Sequence, residues 1–184
     1  EDYYNAYIHA KKRGLSSAAG CHFEELLHQL FHKCPNPITS LLQSIGKGSE
    51  GIAQFKAFSC YWIPSIPNFA NIDAALVIKD SGGNVTVWCL QYTVSKEHKF
   101  NPRTFVTKFL RPLLQNFGLQ RSEVAVNVVF VVPDDIFTEF KVPEDVDDAG
   151  YTGSATFADC SNGVDAVQGI FEKLAFIDQP VTFP

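Results

Sequence analysis

No methionine occurs anywhere in the 184 residues, not even at the first position. The expectation is therefore a piece of a longer polypeptide, with an upstream domain and any targeting signal lying outside it. No apolar run approaches the ~18 residues that cross a bilayer, and the opening EDYYNAYIHAKKRG lacks the charged-then-apolar order of a signal peptide. No membrane partner is expected. The five cysteines (Cys21, Cys34, Cys60, Cys89, Cys160) are odd in number and form no CxxC pair. That spacing argues against a disulfide framework and a zinc site, and favours a reducing intracellular setting in which Cys60 and Cys89 serve as small hydrophobes. Repeats, linkers and low-complexity tracts are missing as well. A chain with 46% hydrophobic and 13% aromatic residues then reads as one domain with a sizeable core.

The formal charge of -5 is not that of a typical nucleic-acid binder, but the charges are sorted along the chain. Lys96, Lys99, Arg103, Lys108, Arg111 and Arg121 face only Glu97 between positions 96 and 121, whereas from Asp134 to Asp178 acids prevail and only Lys141 and Lys173 oppose them. A local basic face is compatible with that sorting, and so is an ordinary solvated helix surface.

Periodicity divides the chain into alternating elements. Phe23, Leu26, Leu27, Leu30 and Phe31 recur at helical spacing and predict a helix over Ser17–Lys33, stopped by Pro35 and Pro37. Leu41, Leu42 and Ile45 suggest a short turn. Strands are expected over Ile52–Ile63, Ile72–Lys79 and Val85–Val94, the last two joined as a hairpin through DSGGN. A helix over Pro102–Gly118 carries Phe105, Phe109, Leu110, Leu113, Leu114 and Phe117 on one stripe, with Pro112 kinking or dividing it. The run VAVNVVFVV, Val124–Val132, suits a central strand covered on both faces. Beyond it, DDIFTEFKVPEDVDDAG reads as a short strand or helix with an acidic loop, followed by a short helix near Val164–Glu172 and a last strand around Ala175–Phe183. The class is α/β with a mixed sheet flanked by helices.

Two polar residues sit where this pattern calls for apolar ones. Asp73 opens one hairpin strand and Gln91 lies near the end of the other, so pairing brings both to one point. Glu24 borders the buried stripe of the first helix with His28 one turn on; it either reaches solvent, pairs with His28, or shares a divalent cation with Asp73. Trp88 and Tyr92 alternate with Gln91 and are expected to face the core.

Taken together, AAGCHFEELLH (18–28), IPNFANIDAALV (66–77), LQYTVSKEH (90–98) and VVFVVP (128–133) resemble the C-terminal nuclease domain of Crinkler effectors and the related retrotransposon hot spot proteins. These belong to the PD-(D/E)xK superfamily, and the resemblance spans most of residues 16–135. It implies a restriction-endonuclease-like mixed β-sheet flanked by helices, and a nuclease that hydrolyses DNA with low sequence specificity. Glu24, Asp73 and Gln91 would hold Mg2+ (or Mn2+), which activates water and stabilises charge on the scissile phosphate. The family's Lys, two residues after the last ligand, is Thr93 here, so Lys96 is the first candidate to replace it and His98 the second. Lys96, Lys99, Arg103, Lys108 and Arg111 would track the backbone of DNA, or of RNA, without reading sequence. The resemblance further implies a secreted effector working in a host cell, in its nucleus, or alternatively a protein of the organism's own nucleus. The missing Lys and the Gln at 91 also admit a module that no longer cuts and binds DNA or a host protein.

Overall fold

The computed structural model describes residues 3–33, 44–47, 52, 58, 60–66, 69–162 and 170. Helices α1 (Tyr3–Lys12) and α2 (Ser16–Lys33) come first, and Gly14 turns the chain between them in the left-handed region. Strands β1 (Ser44–Lys47), β2 (Cys60–Ile63), β3 (Ala74–Lys79) and β4 (Val85–Tyr92) follow. A helical stretch then runs as α3 (Pro102–Phe105), a π turn (Val106–Leu110) and α4 (Arg111–Phe117). It leads into β5 (Val124–Pro133), α5 (Asp134–Phe137), α6 (Glu144–Asp148) and β6 (Thr152–Ala158). The six strands form one sheet in chain order, antiparallel from β2 to β4 and parallel at β1–β2, β4–β5 and β5–β6. Among the described residues no helix is long and apolar enough to cross a membrane.

The expected elements are present, with specific differences. Ile45 lies in β1 and not in a helical turn, because a parallel partner at Tyr61 supplies the backbone bonds a lone tetrapeptide lacks. Of the strand expected over Ile52–Ile63, Cys60–Ile63 is strand among the described residues; most of positions 51–59 lie outside them, as do the helix and strand expected in the tail beyond Asn162, Ile170 apart. The acidic segment after Pro133 makes two short helices. Two elements were not anticipated: α1, whose sequence carries little amphipathic contrast, and β6, whose Gly and Ala weaken the strand signal but which gains a parallel neighbour in β5.

Pro112 divides its helix in a particular way. Its ring excludes the α-helical bond to Lys108, and the turn before it widens so that the Arg111 N–H reaches back to the Val106 carbonyl. The stretch continues past the proline and ends on Gly118 at φ 64°.

The sheet has a core on each face. Phe23, Leu27 and Phe31 of α2 pack on Ala74, Leu76, Leu90 and Tyr92. On the other face Phe105, Phe109 and Leu113 cover Ala75, Val77, Val87, Cys89 and Val128. Burial in β4 and β5 alternates at first and becomes continuous in their second halves, so only there do helices cover both faces.

Candidate functional site

At that doubly covered end, β3 and β4 bring Asp73 and Gln91 together. Gln91 Nε2 donates to Asp73 Oδ2 at 2.5 Å, and the backbone N–H of Tyr92 donates to the same oxygen at 2.7 Å. Both side chains are buried. The carboxyl thus takes the place of a strand neighbour's carbonyl where the ladder ends. The second oxygen-bearing atom of the pair is different: Gln91 Oε1 is buried and has no hydrogen-bond partner among the described residues. A lone amide oxygen in that position costs roughly 1–3 kcal/mol.

The approach to Asp73 is unusual. Ala70 (φ 53°) and Asn71 (φ 65°) are both left-handed, a conformation that Asn tolerates and Ala resists by roughly 1–2 kcal/mol. Asn71 Oδ1 accepts the N–H of Asn101, and Asn101 Oδ1 in turn caps α3 by accepting the Thr104 N–H. This clasp ties the start of β3 to the start of α3. Nothing in the hydropathy pattern of PNFANID signals it; the only available cue was an Asn two residues before a buried Asp.

Burial pushes the Asp73 carboxyl up to about 8, the negative charge of Glu24 adds to the rise, and the Tyr92 N–H opposes it. Glu24 therefore lies within electrostatic reach of Asp73 although it stands on α2. Its side chain is 35% exposed, and its Oε1 lies 3.7 Å from Nε2 of buried His28, so of the arrangements expected for Glu24 both solvent contact and pairing with His28 are realised. By strand alternation Gln91, paired with Phe130, falls on the α3–α4 side of the sheet, while α2 lies on the other. Asp73 is hydrogen-bonded to Gln91 and also feels the charge of Glu24.

His28 continues inward as a chain of polar groups. Its Nδ1 is 3.0 Å from the Tyr61 hydroxyl, which is 2.6 Å from the Tyr92 hydroxyl. One assignment gives each hydroxyl proton an acceptor: Tyr92 donates to Tyr61 and Tyr61 donates to Nδ1 of His28, while Nε2, 3.7 Å from Glu24 Oε1, is buried with no hydrogen-bond partner among the described residues. Burial raises both phenols, with Asp73 and Glu24 adding to it. Sequence reasoning placed Tyr92 correctly at the core and His28 one turn from Glu24 along the buried stripe, but missed Tyr61, which looked like any aromatic in a strand.

The remaining candidates disperse. Thr93 is buried; its N–H bonds the Val131 carbonyl and its Oγ1 accepts from the Ser95 N–H. The Lys96 ammonium is 2.6 Å from Glu139, with both side chains more than half exposed. Half-buried His98 sits with its ring 5.7 Å from Phe130, and burial lowers its pKa. Lys99, Arg103, Lys108 and Arg111 are exposed and form no ion pair among the described residues. Among the described residues no group of three or more His, Cys, Asp or Glu is arranged to hold a metal ion. The oxygens available to a cation are those of Asp73 and Gln91, with Glu24 as the nearby charge. Compared with known protein families, curated proteins and solved structures, the chain has no significant match.

Proposed function

We propose that this chain is a restriction-endonuclease-like domain of the Crinkler type that hydrolyses nucleic-acid phosphodiester bonds with Mg2+ or Mn2+. The carrying observation is the Asp73–Gln91 pair: a carboxyl pushed up to about 8 beside a buried amide oxygen with no partner among the described residues. A divalent cation relieves both, since it favours the carboxylate and takes the free lone pairs, and an all-oxygen donor set suits hard cations such as these. Asp73 and Gln91 would hold the ion, with Glu24 contributing charge from α2. When bound, it supplies an activated water and stabilises the charge that develops on the phosphate.

The order helix, three antiparallel strands, helix, parallel strand, seen in α2, β2–β3–β4, α3–α4 and β5, is in keeping with that family's core. The chain's own residues do the positioning. Tyr92 N–H and Gln91 orient one Asp73 oxygen, and the Asn71–Asn101 clasp holds the start of β3. Lys96 is tied to Glu139 by an exposed pair, an interaction usually worth ~0–1 kcal/mol, so a phosphate can draw it away at little cost. Lys99, Arg103, Lys108 and Arg111 follow the backbone of DNA, or of RNA, and give salt-sensitive binding without sequence preference. Such a domain would act in a host nucleus as part of a secreted multidomain effector, or in the organism's own nucleus.

Supercoiled plasmid with Mg2+ is nicked by the wild type and stays intact with EDTA or with Asp73→Ala. Intact plasmid under all three conditions defeats the catalytic reading. A second reading, a nuclease fold that binds DNA or a host protein without cutting, is favoured by Thr93 in the position of the family's Lys and by the engagement of Lys96 with Glu139. In that case plasmid is retarded in a gel but never nicked.

A further inference from the structure

A cleft of about 600 Å³ lies well away from Asp73, between α4 and the turn that enters β5. Arg121 precedes β5, whose first residue Val124 pairs with Val85, whereas Gln91 pairs with Phe130 six positions on. At about 3.3 Å per residue the two places are about 20 Å apart along the strand. The cleft has an apolar floor, including Leu110, Leu114 and Tyr151, and a polar rim.

Three features of the rim point to one kind of ligand. First, Arg121 is held as a platform: its guanidinium lies over the Tyr151 ring at 5.4 Å and donates to the carbonyls of Val124 (2.7 Å) and Gly150 (3.2 Å). A guanidinium held over an aromatic ring and anchored by two carbonyls is a planar cation on which a nucleobase π-face can stack. Second, Arg111 and Gln115 line the cleft, are exposed, and have no partner among the described residues. Third, exposed Gln120 lines the same rim with its backbone held in place: its N–H donates to Glu123 Oε2 at 2.6 Å and its carbonyl accepts the Glu123 N–H at 3.1 Å.

The π turn contributes to this arrangement. Bonding from the Arg111 N–H to the Val106 carbonyl puts an extra residue in that turn and brings Val106 and Arg111 to the same side, both lining the cleft. Arg103 and Lys108 are exposed earlier on the same stretch and form no ion pair among the described residues.

We propose that this cleft binds one nucleotide unit of a single-stranded nucleic acid, its base stacked on Arg121 and its phosphate on Arg111, with Gln115 and Gln120 donating to base or sugar oxygens. Duplex DNA keeps its bases stacked inside and presents only phosphates to such a cleft, so the site discriminates strands from duplexes. The inference rests on the nucleic-acid part of the function above and adds a strand-selective subsite to it.

The test is fluorescence anisotropy with a fluorescein-labelled oligo(dT) strand and a blunt duplex of equal length, in EDTA. Arg111→Glu removes a phosphate contact from both ligands, and weakens strand binding at least about fivefold more than duplex binding. Arg121→Lys keeps the charge but removes the flat platform, and weakens the strand by about fivefold or more while leaving the duplex within about twofold. Thermal melts confirm that each variant is folded, and Gln115→Ala replaces Arg121→Lys if the latter is not. Strand affinity within about twofold of wild type in both variants, or equal losses on strand and duplex, overturns the proposal. Plasmid nicking by the wild type separates the two claims. Nicking without strand selectivity sinks the subsite alone, and strand selectivity without nicking sinks the catalytic reading alone.

Discussion

Beneath α2 the sheet buries a histidine and two tyrosines linked hydroxyl to hydroxyl, whereas beneath α3 and α4 it buries Phe100, Phe105, Phe109 and Phe130 and carries its cations on the outside. Both faces are close-packed, yet they do different things with polarity. On the α2 face the polar groups are inside, so their geometry is set by hydrogen bonds that cannot be exchanged for water. On the α3–α4 face the core is non-directional and the charged groups are free to meet a ligand. Asp73 sits at the end where the two meet, oriented by Gln91 and Tyr92 and raised by Glu24. A rigid polar side thus supports the candidate site, and an apolar side supports a long basic surface.

That contrast can be broken by experiment. The largest effect is expected from Phe109→Ala, which empties a fully buried ring position and should lower unfolding free energy by about 3–5 kcal/mol in chemical denaturation. A loss below about 1.5 kcal/mol would mean that the face collapses around the gap and is not the close-packed support described. Next is Tyr61→Phe, which keeps the ring but takes the partner from both the Tyr92 hydroxyl and His28 Nδ1. A loss of about 1–3 kcal/mol is expected, with a smaller further loss on adding Tyr92→Phe because the pair acts as a unit. Full additivity would show that the polar chain is not coupled.

The third effect is a pH dependence. The folded Asp73 carboxyl, at about 8 against an ordinary 3.8, binds its proton more tightly than in the unfolded chain. Its contribution is therefore complete below about pH 4 and is lost as pH rises to about 8, with a slope of no more than ~1.4 kcal/mol per pH unit. Asp73→Asn should flatten that fall, and added Mg2+ near pH 8 should raise the melting temperature of the wild type but not of Asp73→Asn. An unchanged slope in the variant would assign the titration to another group. The smallest effect belongs to Lys96→Ala: the exposed pair with Glu139 predicts a stability change under ~1 kcal/mol, while nicking falls clearly only if Lys96 swings to the phosphate.

Much of the fold was legible because its signals are local. The stripe from Phe23 to Phe31, the DSGGN reversal and the run from Val124 each announce an element by period or turn chemistry, and each forms close to the expected bounds. β6 and α1 were not legible, since Thr152–Ala158 becomes a strand only when β5 lies beside it and α1 is held by packing on α2. The pairing of Asp73 with Gln91 followed from hairpin register alone. The position of Lys96 did not, because Glu139 lies forty-three residues away and only the return of the chain after β5 brings it near.

The residues themselves determined that a mixed α/β sheet forms and that one carboxyl and one amide meet inside it, because alternation, helical period and a two-strand register are properties of neighbouring positions. Tertiary structure alone decided what those groups experience. Burial and then the charge of Glu24 raise Asp73, Tyr61 joins His28 to Tyr92, and Arg121 lies over Tyr151. Charge, desolvation and stacking act through space, and no spacing along the chain encodes them.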